Sequence, residues 1–218
     1  MLASFYQSPR ALASAGPTNA WPETSAVKAV ICAGFIWGLF NAALGMVFGF
    51  GSGLLIERGW SQAAAGSTTS LVLWGATLSV PLGGILADRF GRPIFIMLGG
   101  FGLFALALLV ATRTESAVAA FIALGLVGGA FSWANYEPSS KGFISICPSH
   151  RNGILFDTFY VCVVAAPIVA GMLAKKMGSA QVAFDLGAVM LVLCFPLYAA
   201  YRFFADRSLH ETALGKAP

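Results

Sequence analysis

Charge is what this sequence has least of. Across 218 residues there are 13 Lys and Arg and 9 Asp and Glu, together 10% of the chain against about 25% in an ordinary globular protein. Too few side chains remain to solvate the surface of a soluble domain of this size. Net charge +4 would suit a nucleic-acid partner only if the basic residues were clustered, and they lie scattered between long apolar runs. The two histidines form no H-x-x-x-H pair, and Cys32, Cys147, Cys162 and Cys194 have no CxxC spacing. A metal site or a disulfide framework therefore has no support, and the cysteines read as small hydrophobes. No G-K-[ST] phosphate loop occurs, and Gly49-Phe50-Gly51-Ser52-Gly53 lacks the spacing of a nucleophile elbow. No cofactor and no catalytic residue are expected. An enzyme embedded in the membrane is the weaker alternative.

What the chain has in abundance is apolar length: 58% of its residues are hydrophobic. Six apolar segments, at about 27–56, 61–87, 94–112, 117–136, 152–174 and 180–204, each approach the ~20 residues that cross ~30 Å of hydrocarbon as a helix. None alternates in the ~10-residue manner of a membrane β-barrel strand. The expected fold is an all-α membrane protein of six transmembrane helices over residues 27–204. Residues 1–26 are expected to be a flexible polar tail without the basic region and apolar core of a signal peptide, and 205–218 a cytoplasmic tail. With a cytoplasmic N-terminus, nine Lys and Arg fall on the inner side and four on the outer, which favours both termini in the cytoplasm.

Gly84-Ile85-Leu86-Ala87-Asp88-Arg89-Phe90-Gly91 ends the second segment, and Gly171-Met172-Leu173-Ala174-Lys175-Lys176-Met177-Gly178 ends the fifth. Pro81 and Pro167 precede them. A three-segment unit repeated in tandem must insert in opposite orientation, so an inverted 3+3 repeat is expected, as in many secondary transporters.

The run Gly84-x-x-x-Asp88-Arg89-x-Gly91-Arg92 resembles the signature loop between the second and third helices of the major facilitator superfamily. The resemblance covers 27 to about 204, one six-helix half of that family's bundle, and Trp37 to Gly45 with Pro148-x-x-Arg151 look more like the C-terminal half. It implies transport of a small solute by alternating access, and a loop that acts as a conformational latch. Gly84, Asp88, Arg89, Gly91 and Arg92 would form the latch, with Glu137 as the acid that pairs with Arg89. A half-size unit implies a partner, either a second copy or a separate chain carrying another six-helix half. The alternative is an inactive fragment or split-gene half. The implied location is a bacterial inner membrane.

Polar side chains are unevenly spread. The third and sixth segments are nearly free of them, so these two are expected to form the outer, lipid-facing pair, and the first, second, fourth and fifth to line the interior. Trp37, Asn41, Trp74, Thr77 and Tyr160 are the candidate substrate contacts, aromatic walls with a few hydrogen-bonding groups. Asp157, an acid inside the fifth segment, is a possible coupling residue. Glycines four apart (Gly34 and Gly38; Gly45, Gly49 and Gly53; Gly125 and Gly129) read as packing stripes.

Overall fold

A computed structural model describes residues 24–90, 93–132 and 148–214. They form six helices: α1 (Thr24–Glu57), α2 (Gln62–Phe90), α3 (Pro93–Ala111), α4 (Ala117–Ser132), α5 (Pro148–Met177) and α6 (Gln181–Leu214). Each coincides with one of the six apolar segments. Four of them, α1, α3, α5 and α6, are long and apolar enough to cross a membrane by length and composition.

The other two expected spans fall short within the described residues. The described part of α4 is 16 residues, about 24 Å, and its expected continuation to Tyr136 lies outside the described residues. Helix α2 has 29 residues; Ser67, Thr68, Thr69, Ser70, Thr77 and Ser79 fall in its first 18, and most side chains of its last third lie outside the described residues. Several of these hydroxyls are spent inside the helix. Thr69 donates to Ala65 O at 2.9 Å, Ser70 to Gly66 O at 2.9 Å and Thr77 to Leu73 O at 2.8 Å. A hydroxyl satisfied by its own helix loses most of its cost in an apolar medium.

Tight corners join the helices at one end of the bundle. After α1, Gly59 takes φ +86°, and the amides of Arg58, Gly59 and Trp60 return to the carbonyls of Leu55 and Ile56 at 2.9–3.1 Å. After α5, Gly178 takes φ +69°, and its amide and that of Ser179 return to Ala174 O at 2.8 and 3.2 Å. Both are left-handed helix stops, a conformation that glycine adopts without the Cβ clash.

Packing is organised around α1, which lies against α5 and α6 and, less extensively, α2. Helix α2 pairs with α4, and α3 bridges α4 and α6. The centre is aromatic: buried Phe40 of α1 meets Phe101 and Phe104 of α3, both at 5.8 Å between ring centroids. Phe121 of α4 faces Phe184 of α6 at 6.3 Å. Two seams are closer than side chains normally allow. A Cβ on Gly38 would sit 2.7 Å from Cys162 Cβ on α5, and one on Gly125 would sit 2.5 Å from Val72 O on α2. Across the second seam Ser79 Oγ donates to Gly125 O at 3.3 Å.

Helices α3 and α6 pack on each other, and up to residue 200 the large side chains they leave exposed are apolar: Phe95, Leu103, Leu106 and Val110 on one, Val189, Val192, Leu193 and Phe195 on the other; beyond it α6 exposes Arg202, Asp206 and Arg207 beside Phe203. The other face of α6 is core, with Ala183, Phe184, Ala188, Leu191 and Cys194 buried. Cys32, Cys162 and Cys194 are buried and free, as small hydrophobes should be; Cys147 lies outside the described residues.

Candidate functional site

The seam between α1 and α5 gathers part of the expected site. These two helices run parallel, since Gly34 lies against Leu155 and Thr158 and Gly171 against Phe50. The absence of side chains at Gly34 and Gly38 draws α5 in. That approach stacks Trp37 on Phe159 at 4.0 Å between centroids and 29° between planes, with the Phe156 ring edge-on at 5.5 Å. Tyr160 joins through both phenylalanines, 5.2 Å from Phe159 and 6.3 Å from Phe156. Trp37 and Tyr160 therefore belong to one aromatic cluster, and Tyr160 keeps 58% of its surface exposed. Phe156 and Phe159 were not among the expected contacts. Their signal was in the sequence: aromatics at 156, 159 and 160 occupy adjoining positions of one helix.

Asn41 stands one turn beyond Trp37, and its amide donates to Trp37 O at 2.9 Å. It is half-buried, and its side-chain oxygen remains an acceptor. Trp74 and Thr77 lie on the exposed side of α2, Trp74 at 66%. Among the described residues neither makes a ring contact or hydrogen bond to the α1–α5 cluster, and the Thr77 hydroxyl is held by Leu73 O. Asp157 is exposed on α5, while Thr158 and Cys162 turn toward α1. It lies inside the apolar span 152–177.

Of the latch residues, Gly84 and Asp88 fall in the helical end of α2, and Arg89 is exposed in its last turn. The side chain of Asp88, together with Gly91, Arg92 and Glu137, lies outside the described residues. No group of three His, Cys, Asp or Glu gathers among the described residues.

Trp37 tests the seam directly. Trp37→Ala should lower stability by about 1–3 kcal/mol, below the cost of truncating a fully buried tryptophan because Trp37 is only half-buried. Trp37→Phe keeps a ring on Phe159 and should recover most of that loss. Thermal unfolding in detergent reads both, and equal losses in the two variants would show that the stacking contributes nothing.

A sequence model of the Major Facilitator Superfamily matches residues 27–217, nearly the whole chain and all six helices. No curated protein and no solved structure matches. With apolar helices of membrane-crossing length under that match, the chain is an integral membrane protein and belongs to the Major Facilitator Superfamily, a family of secondary transporters of small solutes.

Proposed function

We propose that the chain is a six-helix unit of a transporter that moves a small solute by alternating access and works paired with another six-helix half. The observation that carries the proposal is the family match over 27–217. Two structural features favour the pairing. Helices α2 and α5 have wide exposed faces, with Trp74, Leu78, Ile85 and Phe90 on one and Tyr160, Val161, Val164, Ile168 and Met172 on the other. Unlike the large exposed residues of α3 and of α6 up to residue 200, these are interspersed with polar groups, exposed Ser67, Ser70 and Thr77 on α2 and Asp157 on α5. A carboxylate at membrane depth belongs against protein or a water-filled path, not lipid.

In this reading Trp37, Asn41 and Tyr160 contact the solute from α1 and α5, Trp74 and Thr77 from α2, and Asp157 is the coupling acid. Gly84, Asp88, Arg89, Gly91, Arg92 and Glu137 form the latch. The inverted repeat gains support from helix direction: α1 and α5 run parallel, and α2 turns back along α1. Helices α2 and α5, which carry the similar stretches, therefore finish at opposite ends of the bundle, as an inverted pair requires. We also read both termini as cytoplasmic in a bacterial inner membrane. Lys175 and Lys176, two of the four basic residues on the outer side, sit in the last turn of α5, where cations oppose the helix dipole. Their position has a local cause, and the remaining bias toward the inner side is stronger without them.

The test has two arms. Proteoliposomes should accumulate at least one member of a panel of labelled sugars, amino acids, organic anions and organic cations. Asp88→Cys with His150→Cys, the latter in the first turn of α5, should cross-link between copies in a background without native cysteines. Uptake by chains shown to be single in each liposome would overturn the pairing. Failure to carry any solute in the presence of the cross-link would overturn transport by a pair of identical copies and point to a different partner chain.

A further inference from the structure

Glu57 and Arg58, at the corner between α1 and α2, each reach a different neighbouring corner. One Glu57 oxygen accepts the Ala180 backbone N–H at 2.8 Å and the other accepts the Ser179 hydroxyl at 3.1 Å, at the start of α6. Ser179 Oγ in turn accepts the Gln181 N–H at 3.2 Å. Arg58 donates one N–H to Thr114 O at 3.1 Å and another to Thr112 O, just past the end of α3. The signs are those the helix dipoles demand: an anion at the amino end of α6, a cation at the carboxyl end of α3. The two ends adjoin because α3 and α6 run antiparallel, with Leu108 near Gly187 and Phe195 near Gly102.

We propose that Glu57 and Arg58 act as one clamp that makes the α1–α2, α3–α4 and α5–α6 corners a single body. On the transporter reading above, this end of the unit moves as a whole during the cycle. Consecutive residues share one peptide, and Gly59 stops the helix immediately after them. A shift of α6 that pulls Glu57 therefore moves Arg58 and the end of α3 with it. The nearby pair Arg113–Asp185 is a poorer link. It spans 3.7 Å with both side chains substantially exposed, and Arg113 is also bonded to Leu109 O within its own segment.

Hydrogen exchange read by mass spectrometry on the full chain in nanodiscs tests the coupling without a substrate. The reporters are the bonded amides of Arg58, Gly59 and Trp60, of Arg113, Thr114 and Ala117, and of Gly178, Ser179 and Ala183. Glu57→Ala removes a charged partner from a helix start, so residues 178–183 should exchange on the order of tenfold faster. The clamp further requires a comparable acceleration at 113–117, which Glu57 does not touch. Arg113→Gln should move neither by more than about twofold, the worth of an exposed pair. A Cβ at Gly53 would lie 3.7 Å from Ala180 Cβ, close to the ~3.8 Å of a disulfide. Gly53→Cys with Ala180→Cys, oxidised in a background without native cysteines, should restore protection at both distant corners of Glu57→Ala. Acceleration confined to 178–183, or rescue confined there, would overturn the clamp and leave two independent caps. If Glu57→Ala does not insert, Glu57→Gln keeps an acceptor without the charge and is read in the same way. Loss of the transport reading would leave these exchange rates as they are, so the two failures are told apart.

Discussion

Gly125→Leu should leave almost no correctly assembled protein. A Cβ at position 125 would fall 2.5 Å from Val72 O, 2.9 Å from Val72 Cα and 3.1 Å from Gly75 Cα. All three are backbone atoms of α2, so no rotamer change makes room. The seam is tight from the other side as well, since a Cβ on Gly75 would meet Gly125 Cα and Leu126 N at 3.1 Å. Separating the helices would also stretch the Ser79–Gly125 hydrogen bond, the one polar tie between them among the described residues. Overpacking a core costs about 1–3 kcal/mol when neighbours can adjust. Here they cannot, and Gly125→Ala alone should reach the upper part of that range. Gly45→Ala is the control. Nothing lies within 4 Å of its Cβ, so it should be neutral or stabilising by up to about 1 kcal/mol through lower backbone entropy. Size-exclusion profiles and melting in detergent measure all three variants. A Gly125→Leu protein that elutes as one species and melts with the parent would show that α2 and α4 do not approach this closely.

That contrast also marks how far the sequence could be read. Six apolar segments located six helices, and the segment expected at 94–112 is helical over Pro93–Ala111, because apolar length bounded by charge or glycine is a local property. The four-residue glycine spacing was equally visible at 34–38 and 45–49. Yet Gly34 and Gly38 touch α5 while Gly45 and Gly49 face open space, and Gly75, outside any such stripe, packs against Gly125. Spacing tells which residues share a helix face, not which face meets a neighbour. The candidate site was legible to the same degree. Trp37 and Tyr160 came together because α1 and α5 do, whereas Trp74 and Thr77 stand apart on α2. Glu57 and Arg58 gave no signal at all. Their partners are mostly backbone groups of other corners, and a carbonyl or amide carries no residue identity to search for.

Asp88→Asn is expected to separate transport from stability. Asp88 lies two residues before the carboxyl end of α2, where the helix dipole disfavours an anion by about 0.3–1 kcal/mol. Arg89, beside it in the same last turn, has the favoured sign. For α2 alone, then, the carboxylate is a liability and the guanidinium an asset. Removing the charge from Asp88 should leave insertion intact and the melting temperature unchanged or slightly higher. In the latch reading the same carboxylate faces the positive start of a helix in the opposite half, a contact made in only one of the two transport states. Its loss shifts the balance between those states by the free energy of that contact. At roughly 1–2 kcal/mol for a partly buried anion at a helix end, uptake should fall on the order of tenfold. Arg89→Ala should differ in kind, losing both the latch contact and the favourable helix end, so that uptake and melting temperature fall together. Uptake and melting measured on the same preparations decide it. An Asp88→Asn protein that carries solute at the native rate would remove the residue from the latch. One that unfolds at a lower temperature would mean that its carboxylate is bound within its own six-helix unit.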